Sequence, residues 1–129
     1  MNFAGPAGLA FVNGGAVSDR NRLQHARAIY EAFASGDRDF IDRSFSEDFT
    51  FFSPLDVALD RAGYFERCWP GAGRGQRFEF VRVIESGDEV IVTYELTDQD
   101  GRRGRNTEIL TFDGDRICRA EVYFGWDVG

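Results

Sequence analysis

Asn106–Trp126, NTEILTFDGDRICRAEVYFGW, is the stretch from which the fold can be read. Asp113-Gly114-Asp115 is a turn signal between two apolar-rich runs, so the segment predicts a β-hairpin. Side chains alternate along a strand. Asn106, Glu108, Leu110 and Phe112 therefore share one face of the first strand, and Thr107, Ile109 and Thr111 share the other. A carboxylate in line with Leu and Phe is the strongest chemical hint in the chain. In the second strand Cys118, Ala120, Val122 and Phe124 fall on one face, and Glu121 and Tyr123 on the other.

Two more strands precede the hairpin. From Gln76, Phe78, Phe80 and Ile84 alternate with Glu79, Val81, Val83 and Glu85, and Ser86-Gly87-Asp88 turns the chain. Val90, Val92, Tyr94 and Leu96 then alternate with Ile91, Thr93, Glu95 and Thr97. Asp98 to Arg103 is a polar turn containing Asp100-Gly101, and Arg102, Arg103 and Arg105 read as a basic cluster at a solvated tip.

Further upstream the period is helical. Leu23, Ala26, Ile29, Tyr30 and Phe33 recur at helix spacing, with Ser18 or Asp19 as cap and Gly36 past the end. His25 lies off that line and reads as a surface residue. Asp37 caps a second, short helix carrying Phe40, Ile41 and Phe45 inward. Phe49–Phe52 is a short strand stopped by Ser53-Pro54, since the residue before Pro is driven to extended geometry. Asp60 caps a third helix, Arg61 to Cys68, which buries some of Tyr64, Phe65, Cys68 and Trp69 and stops at Pro70. The Gly71, Gly73, Gly75 loop lacks the residue order of a phosphate cradle. Residues 1–18, rich in Gly and Ala, are expected to form a flexible N-terminal arm. They have no positive n-region and their apolar run is broken by Gly5, Pro6 and Gly8, so no signal peptide is read. Residues 19–129 are expected to form a single domain.

Composition narrows the function classes. The 129 residues suit one domain with a core that needs no staples. Thirteen Phe, four Tyr and two Trp call for a large core or a lined cavity. A net charge of −7 argues against nucleic acid and against an anionic membrane surface. All 15 basic residues are Arg, which removes Schiff-base chemistry on Lys. One His and two distant Cys make neither a metal ligand set nor a disulfide framework. No metal and no cofactor are expected, and a reducing cytoplasm fits.

Two helices broken by "ASGD", a strand after "FSEDF", a third helix, and long strands ending in "FDGDRICRAEVYF" resemble the NTF2-like superfamily, in particular its SnoaL-like and ketosteroid isomerase-related branch. The likeness spans about Asn21 to Trp126. It implies an α+β, cystatin-like cone: a curved antiparallel sheet wrapped around three N-terminal helices, open at one end into a cavity. It also implies a homodimer built sheet to sheet, through the face carrying Glu121 and Tyr123. The fold hosts isomerases, cyclases, dehydratases, hydrolases and non-catalytic binders, so fold analogy does not choose among them. Of the three positions a ketosteroid isomerase needs, one is matched in type. Ser53 stands where the base would be, and Ile29, not Tyr30, where the helix-1 tyrosine would be. Glu108 matches the protonated carboxyl of the penultimate strand, whose burial raises its pKa.

The candidate catalytic residues are Glu108, Asp56 and Tyr94. Glu108 would be a general acid or base, or a donor to a ligand oxygen, unless it is a structural carboxylate satisfied by Asn106, Tyr94 or an Arg. Asp56, in the loop after the first strand, would replace the missing base, or else serve the turn. Tyr94 would donate its hydroxyl to a bound oxygen or to Glu108. Tyr30, Phe51, Ser53, Tyr64, Trp69, Asn106, Phe124 and Trp126 are the candidate ligand-binding residues, with core packing the competing reading for the aromatics. The expected ligand is a small apolar molecule, and the expected chemistry is cofactor-free acid–base work. The alternative is a non-catalytic ligand-binding or dimeric protein-interaction module.

Overall fold

The computed structural model describes residues 14–129, and side chains from Arg22 onward. Most of the expected N-terminal arm, residues 1–13, lies outside the described residues. Helix α1 runs Gly14–Ser35, starting ahead of the cap expected at Ser18 and Asp19. It buries Ala26, Ile29, Tyr30 and Ala32. Gly36, at φ +80°, closes it by donating its amide to the Ala32 carbonyl at 2.8 Å. That left-handed conformation favours glycine, which has no Cβ to clash.

Asp37 caps α2 (Arg38–Ser44) by accepting from the Phe40 amide, and Asp60 caps α3 (Arg61–Arg67) by accepting from the Gly63 amide. Phe45 does not belong to α2. Its backbone is extended, and it opens β1 (Phe45–Phe52), so FSEDF lies within the strand. There Phe45 and Phe49 stack with ring centroids 3.8 Å apart, closing the base of the core. A two-residue strand β2 (Leu59–Asp60) pairs with β1 just before α3, and a tight helical turn at Trp69–Gly71 follows that helix.

Four long strands complete the chain: β3 (Arg77–Ser86), β4 (Glu89–Thr97), β5 (Arg103–Asp113) and β6 (Arg116–Asp127). The sheet order is β2-β1-β6-β5-β4-β3. Only the β1–β6 pairing is parallel, so the sheet is mixed rather than wholly antiparallel. Its inner face carries Val90, Val92, Leu110, Phe112, Ile117 and Ala120 against the helices.

Besides a register shift between Phe45 and Thr50 where β1 meets β6, three bulges break the alternation of the later described strands. In β3, Phe80 pairs with Tyr94 but Arg82 with Thr93, which leaves Val81 as an extra residue. Beyond it Val83 packs on the core, and Ile84, which strict alternation groups with Phe78 and Phe80, is 49% exposed. In β6, Thr111 pairs with Arg119 but Phe112 with Ile117, so Cys118 is the extra residue and Ile117 the buried one. A third shift sits where Gly104 faces Asp127 and Asn106 faces Phe124. A bulge sends the following side chain to the opposite face.

The outer face also departs from expectation. Arg103 and Arg105 both donate to Glu95 across the β4–β5 ladder, so they form an ion-paired cluster on the sheet rather than a free basic tip. His25 is not a free surface residue either. Its Nε2 lies 2.7 Å from the Ser44 hydroxyl, with the Phe40 and Phe112 rings against its edge, and burial pulls its pKa down.

Candidate functional site

The helices cover only part of the sheet's inner face. Between α1, α3, the end of β1 and the inner faces of β4 to β6 lies a cavity of about 430 Å³. That is within the roughly 300–1,000 Å³ of small-molecule sites. Its walls are mostly apolar, and Leu55 and Phe124 at its rim are largely exposed.

Glu108 projects into it from β5. Protein surrounds the carboxyl, while the cavity leaves part of the side chain accessible. Burial pushes its pKa up to about 7, against the pull of hydrogen bonds from two tyrosines, Tyr94 first and then Tyr30. The closer one is Tyr94 on β4, whose hydroxyl donates to Glu108 Oε2 at 2.6 Å. Register explains the meeting: Glu108 pairs with Val92 and Tyr94 with Asn106, so the two are diagonal neighbours on one face. Asn106 Nδ2 donates in turn to the Tyr94 hydroxyl at 3.4 Å.

Tyr30 enters from α1 and stacks its ring near Tyr94 and Phe78, with centroids 5.1 Å and 5.3 Å away. Its hydroxyl is fully buried. It is turned toward Glu108, and burial first, then the charge of Glu108 and a long hydrogen bond to it, raise its pKa. Tyr64 comes from α3, and burial and the charge of Glu108 together raise its pKa far above the ordinary value. The Glu108 carboxyl is thus ringed by tyrosines from a helix, a strand and a second helix.

The rim is built by the turn after β1. The Ser53 hydroxyl accepts from the Leu55 and Asp56 amides, so it holds its own turn together. The Asp56 carboxylate pairs with Arg67 of α3 at 2.5 Å. Ser53, Asp56, Phe51, Asn106 and Phe124 all line the cavity, as do Tyr30, Tyr64, Tyr94 and Glu108.

Two expected ligand-binding residues do not. Trp69 packs edge-on to Phe33 and Phe65 behind the cavity wall. Trp126 is 63% exposed and lies against the Arg105 guanidinium on the outer face, because the third bulge lies between it and Phe124. Several lining residues were not among the candidates, Arg67, Leu55, Phe49, Phe78 and Leu96 among them. Arg67 was readable in principle, since with Tyr64 and Cys68 it forms an i, i+3, i+4 face of α3. Burial pushes the Cys68 thiol up to about 11, so it stays a thiol at neutral pH. Among the described residues no cluster of His, Cys, Asp or Glu could hold a metal ion, and no helix is long and apolar enough to cross a membrane.

The model of the SnoaL-like domain family matches residues 26–120. No curated protein matches the chain. Among solved structures, the fold is similar to that of a protein from Kribbella flavida provisionally named a ketosteroid isomerase, with 16% identity over 85% of this chain and 82% of that one and a TM-score of 0.71. It is similar to an NTF2-like protein of unknown function from Burkholderia xenovorans, with 18% identity over 88% and 89% and a TM-score of 0.70. A Sinorhizobium meliloti protein provisionally named a polyketide cyclase shares 19% identity over 77% of this chain and 93% of that one, at a TM-score of 0.65. At these identities the likenesses speak for the fold alone.

Proposed function

The chain belongs to the SnoaL-like domain family, and from that premise we propose that its cavity binds a small, mostly apolar molecule whose polar group meets Glu108. The observation that carries this reading is the Glu108 carboxyl itself. It faces an apolar cavity, takes a hydrogen bond from Tyr94 and is paired with no Arg among the described residues. A carboxyl that titrates near neutrality can both give and take a proton at the pH of a cell. The chemistry we assign is cofactor-free acid–base catalysis of the isomerase, cyclase, dehydratase or hydrolase type, with Tyr94 steadying the carboxylate and Asp56 as the candidate second carboxylate.

The test is a thermal-shift screen of wild type and Glu108→Gln against small apolar carbonyls, lactones, epoxides and steroids. A ligand at about 100 times its Kd adds about 2.7 kcal/mol of stability. A stabilisation present in wild type and weakened in the variant supports the reading. A stabilisation equal in both removes Glu108 from it.

A second reading, a binder without catalysis, is favoured by the rim. Asp56 is engaged by Arg67 and Ser53 by its own turn, so among the described residues no free second carboxylate stands beside Glu108. Unchanged ligand recovered after incubation with the protein would support it. We also propose that the outer sheet face meets a second copy of the chain. Ile84 and Tyr123 stand about half exposed there. Sedimentation equilibrium should show a dimer that Ile84→Glu converts to monomer.

A further inference from the structure

We infer that the molecule taken by this cavity carries a protonated amine, seated against Glu108 and the Tyr30 hydroxyl within aromatic walls. The inference deepens the reading given above and rests on it.

Among the described residues the inner end of the cavity is rich in acceptors and lacks a cation. The one basic residue in its lining, Arg67, stands at the rim and is already paired with Asp56. A buried carboxylate without a counter-charge is costly, and the cost is relieved either by a proton or by a cation brought from outside. An ammonium supplies that cation together with N–H donors. One would go to Glu108 and another to the buried Tyr30 oxygen, which can accept while its own O–H is turned to Glu108.

The walls fit the same charge. Tyr30, Phe78 and Tyr94 lie within 5.3 Å of one another, centroid to centroid, on one side of the cavity. Phe49, Phe51 and Tyr64 close the other side. Aromatic faces attract a desolvated ammonium and so hold it beside a carboxylate. The chain's net charge of −7 favours the approach of a cation over that of an anion.

A neutral carbonyl ligand predicts the opposite pH behaviour and a hydroxyl ligand, which can both donate and accept, a flat one, which makes the inference testable. A carbonyl oxygen needs Glu108 protonated, to donate to it. An ammonium needs Glu108 ionised. The groups that face Glu108 are Tyr30 from α1, Tyr94 from β4, Tyr64 from α3 and Cys68 just after α3, all with pKa values raised above their ordinary ones. Asn106 on β5 and Ala120 and Val122 on β6 do not titrate, and the Asp56–Arg67 pair lies at the rim.

The experiment is calorimetric titration of wild type with benzylamine and with benzyl alcohol, nearly the same shape, between about pH 5.5 and 8.5, where an alkylamine stays protonated. Benzylamine should bind about 30-fold more tightly at the upper pH, following ionisation of a group that titrates near 7. Benzyl alcohol should not gain. In Glu108→Gln the amine should lose both its advantage and its pH dependence. If the alcohol binds as well as the amine, with affinity flat or falling as pH rises, the amine inference is overturned and the apolar-ligand reading stands. If neither binds, and a panel of neutral ketones, lactones and epoxides fails too, both are overturned.

Discussion

The Tyr94 hydroxyl reaches across one strand step to the Glu108 carboxylate, 2.6 Å away, and holds a charge that the surrounding cavity resists. Burial favours the neutral acid and Tyr94 favours the anion, and the balance falls near pH 7. Removing the donor should tip it. In Tyr94→Phe the Glu108 pKa should rise further above 7, and above that pH the variant should lose about 1.5–3 kcal/mol, the worth of a hydrogen bond to a charged group. At pH 5, with Glu108 protonated, the loss should shrink to about 1 kcal/mol. Denaturant melts at both pH values read the difference, and equal losses would mean that Tyr94 contributes packing alone.

Glu108 should also leave its mark on the pH dependence of stability. Its folded pKa, about 7, lies above the ordinary 4.5, so the folded state holds the proton more tightly than the unfolded one. The stability this contributes is complete below about pH 4.5 and is lost as pH rises through about 7. The size of the shift corresponds to a loss of up to about 3 kcal/mol over that window. Glu108→Gln removes the titration, so its stability relative to wild type should climb by that amount between pH 4.5 and 8. Parallel profiles for the two proteins would show that Glu108 does not titrate in this range.

How much of this was legible before the structure depends on where the period-two pattern is unbroken. Between Asn106 and Thr111 every β5 residue pairs in continuous register with both neighbours, and there the sequence placed Glu108, Asn106 and Leu110 on the inner face correctly. Tyr94 followed, because β4 pairs with β5 without a shift. The errors cluster at bulges. Val81, Cys118 and the Gly125 region each add a residue that alternation does not count, so Ile84 parts from the face of Phe78 and Phe80, Ile117 rather than Cys118 is the buried residue, and Trp126 parts from the face of Phe124. Nothing in their chemistry announces them, since Ile and Trp are equally at home in a core. Trp69 failed for another reason. It follows α3 in a separate helical turn, so the helix spacing that placed Tyr64 on the cavity did not extend to it.

At the rim, Asp56 and Arg67 make an ion pair in which Arg67 is 57% exposed. Such a pair contributes little, so Asp56→Asn should change stability by less than about 1 kcal/mol. Its effect on turnover is the more telling measurement. If Asp56 acts as the base, the substitution should lower kcat by about 10²-fold or more while leaving ligand-induced stabilisation in place. An unchanged kcat would remove Asp56 from the chemistry and leave Glu108 as the only carboxyl to consider.

Gly125 gives the sharpest structural test, because space at that position is set by backbone. A Cβ there would come within 2.2 Å of the Arg105 carbonyl oxygen on β5, and backbone cannot yield without parting β5 from β6. Gly104, on the facing strand, has room, since its nearest contact would be 3.9 Å. Gly125→Ala should therefore cost at least about 2 kcal/mol, in the range of overpacking, while Gly104→Ala should cost less than about 1 kcal/mol. The first substitution sits beside Phe124 on the cavity rim and hydrogen-bonds through its amide to Asn106, which in turn bonds Tyr94. Ligand affinity should fall with stability in Gly125→Ala and hold in Gly104→Ala. A pair of variants equally stable would mean that the β5–β6 ladder opens more readily there than its pairing implies.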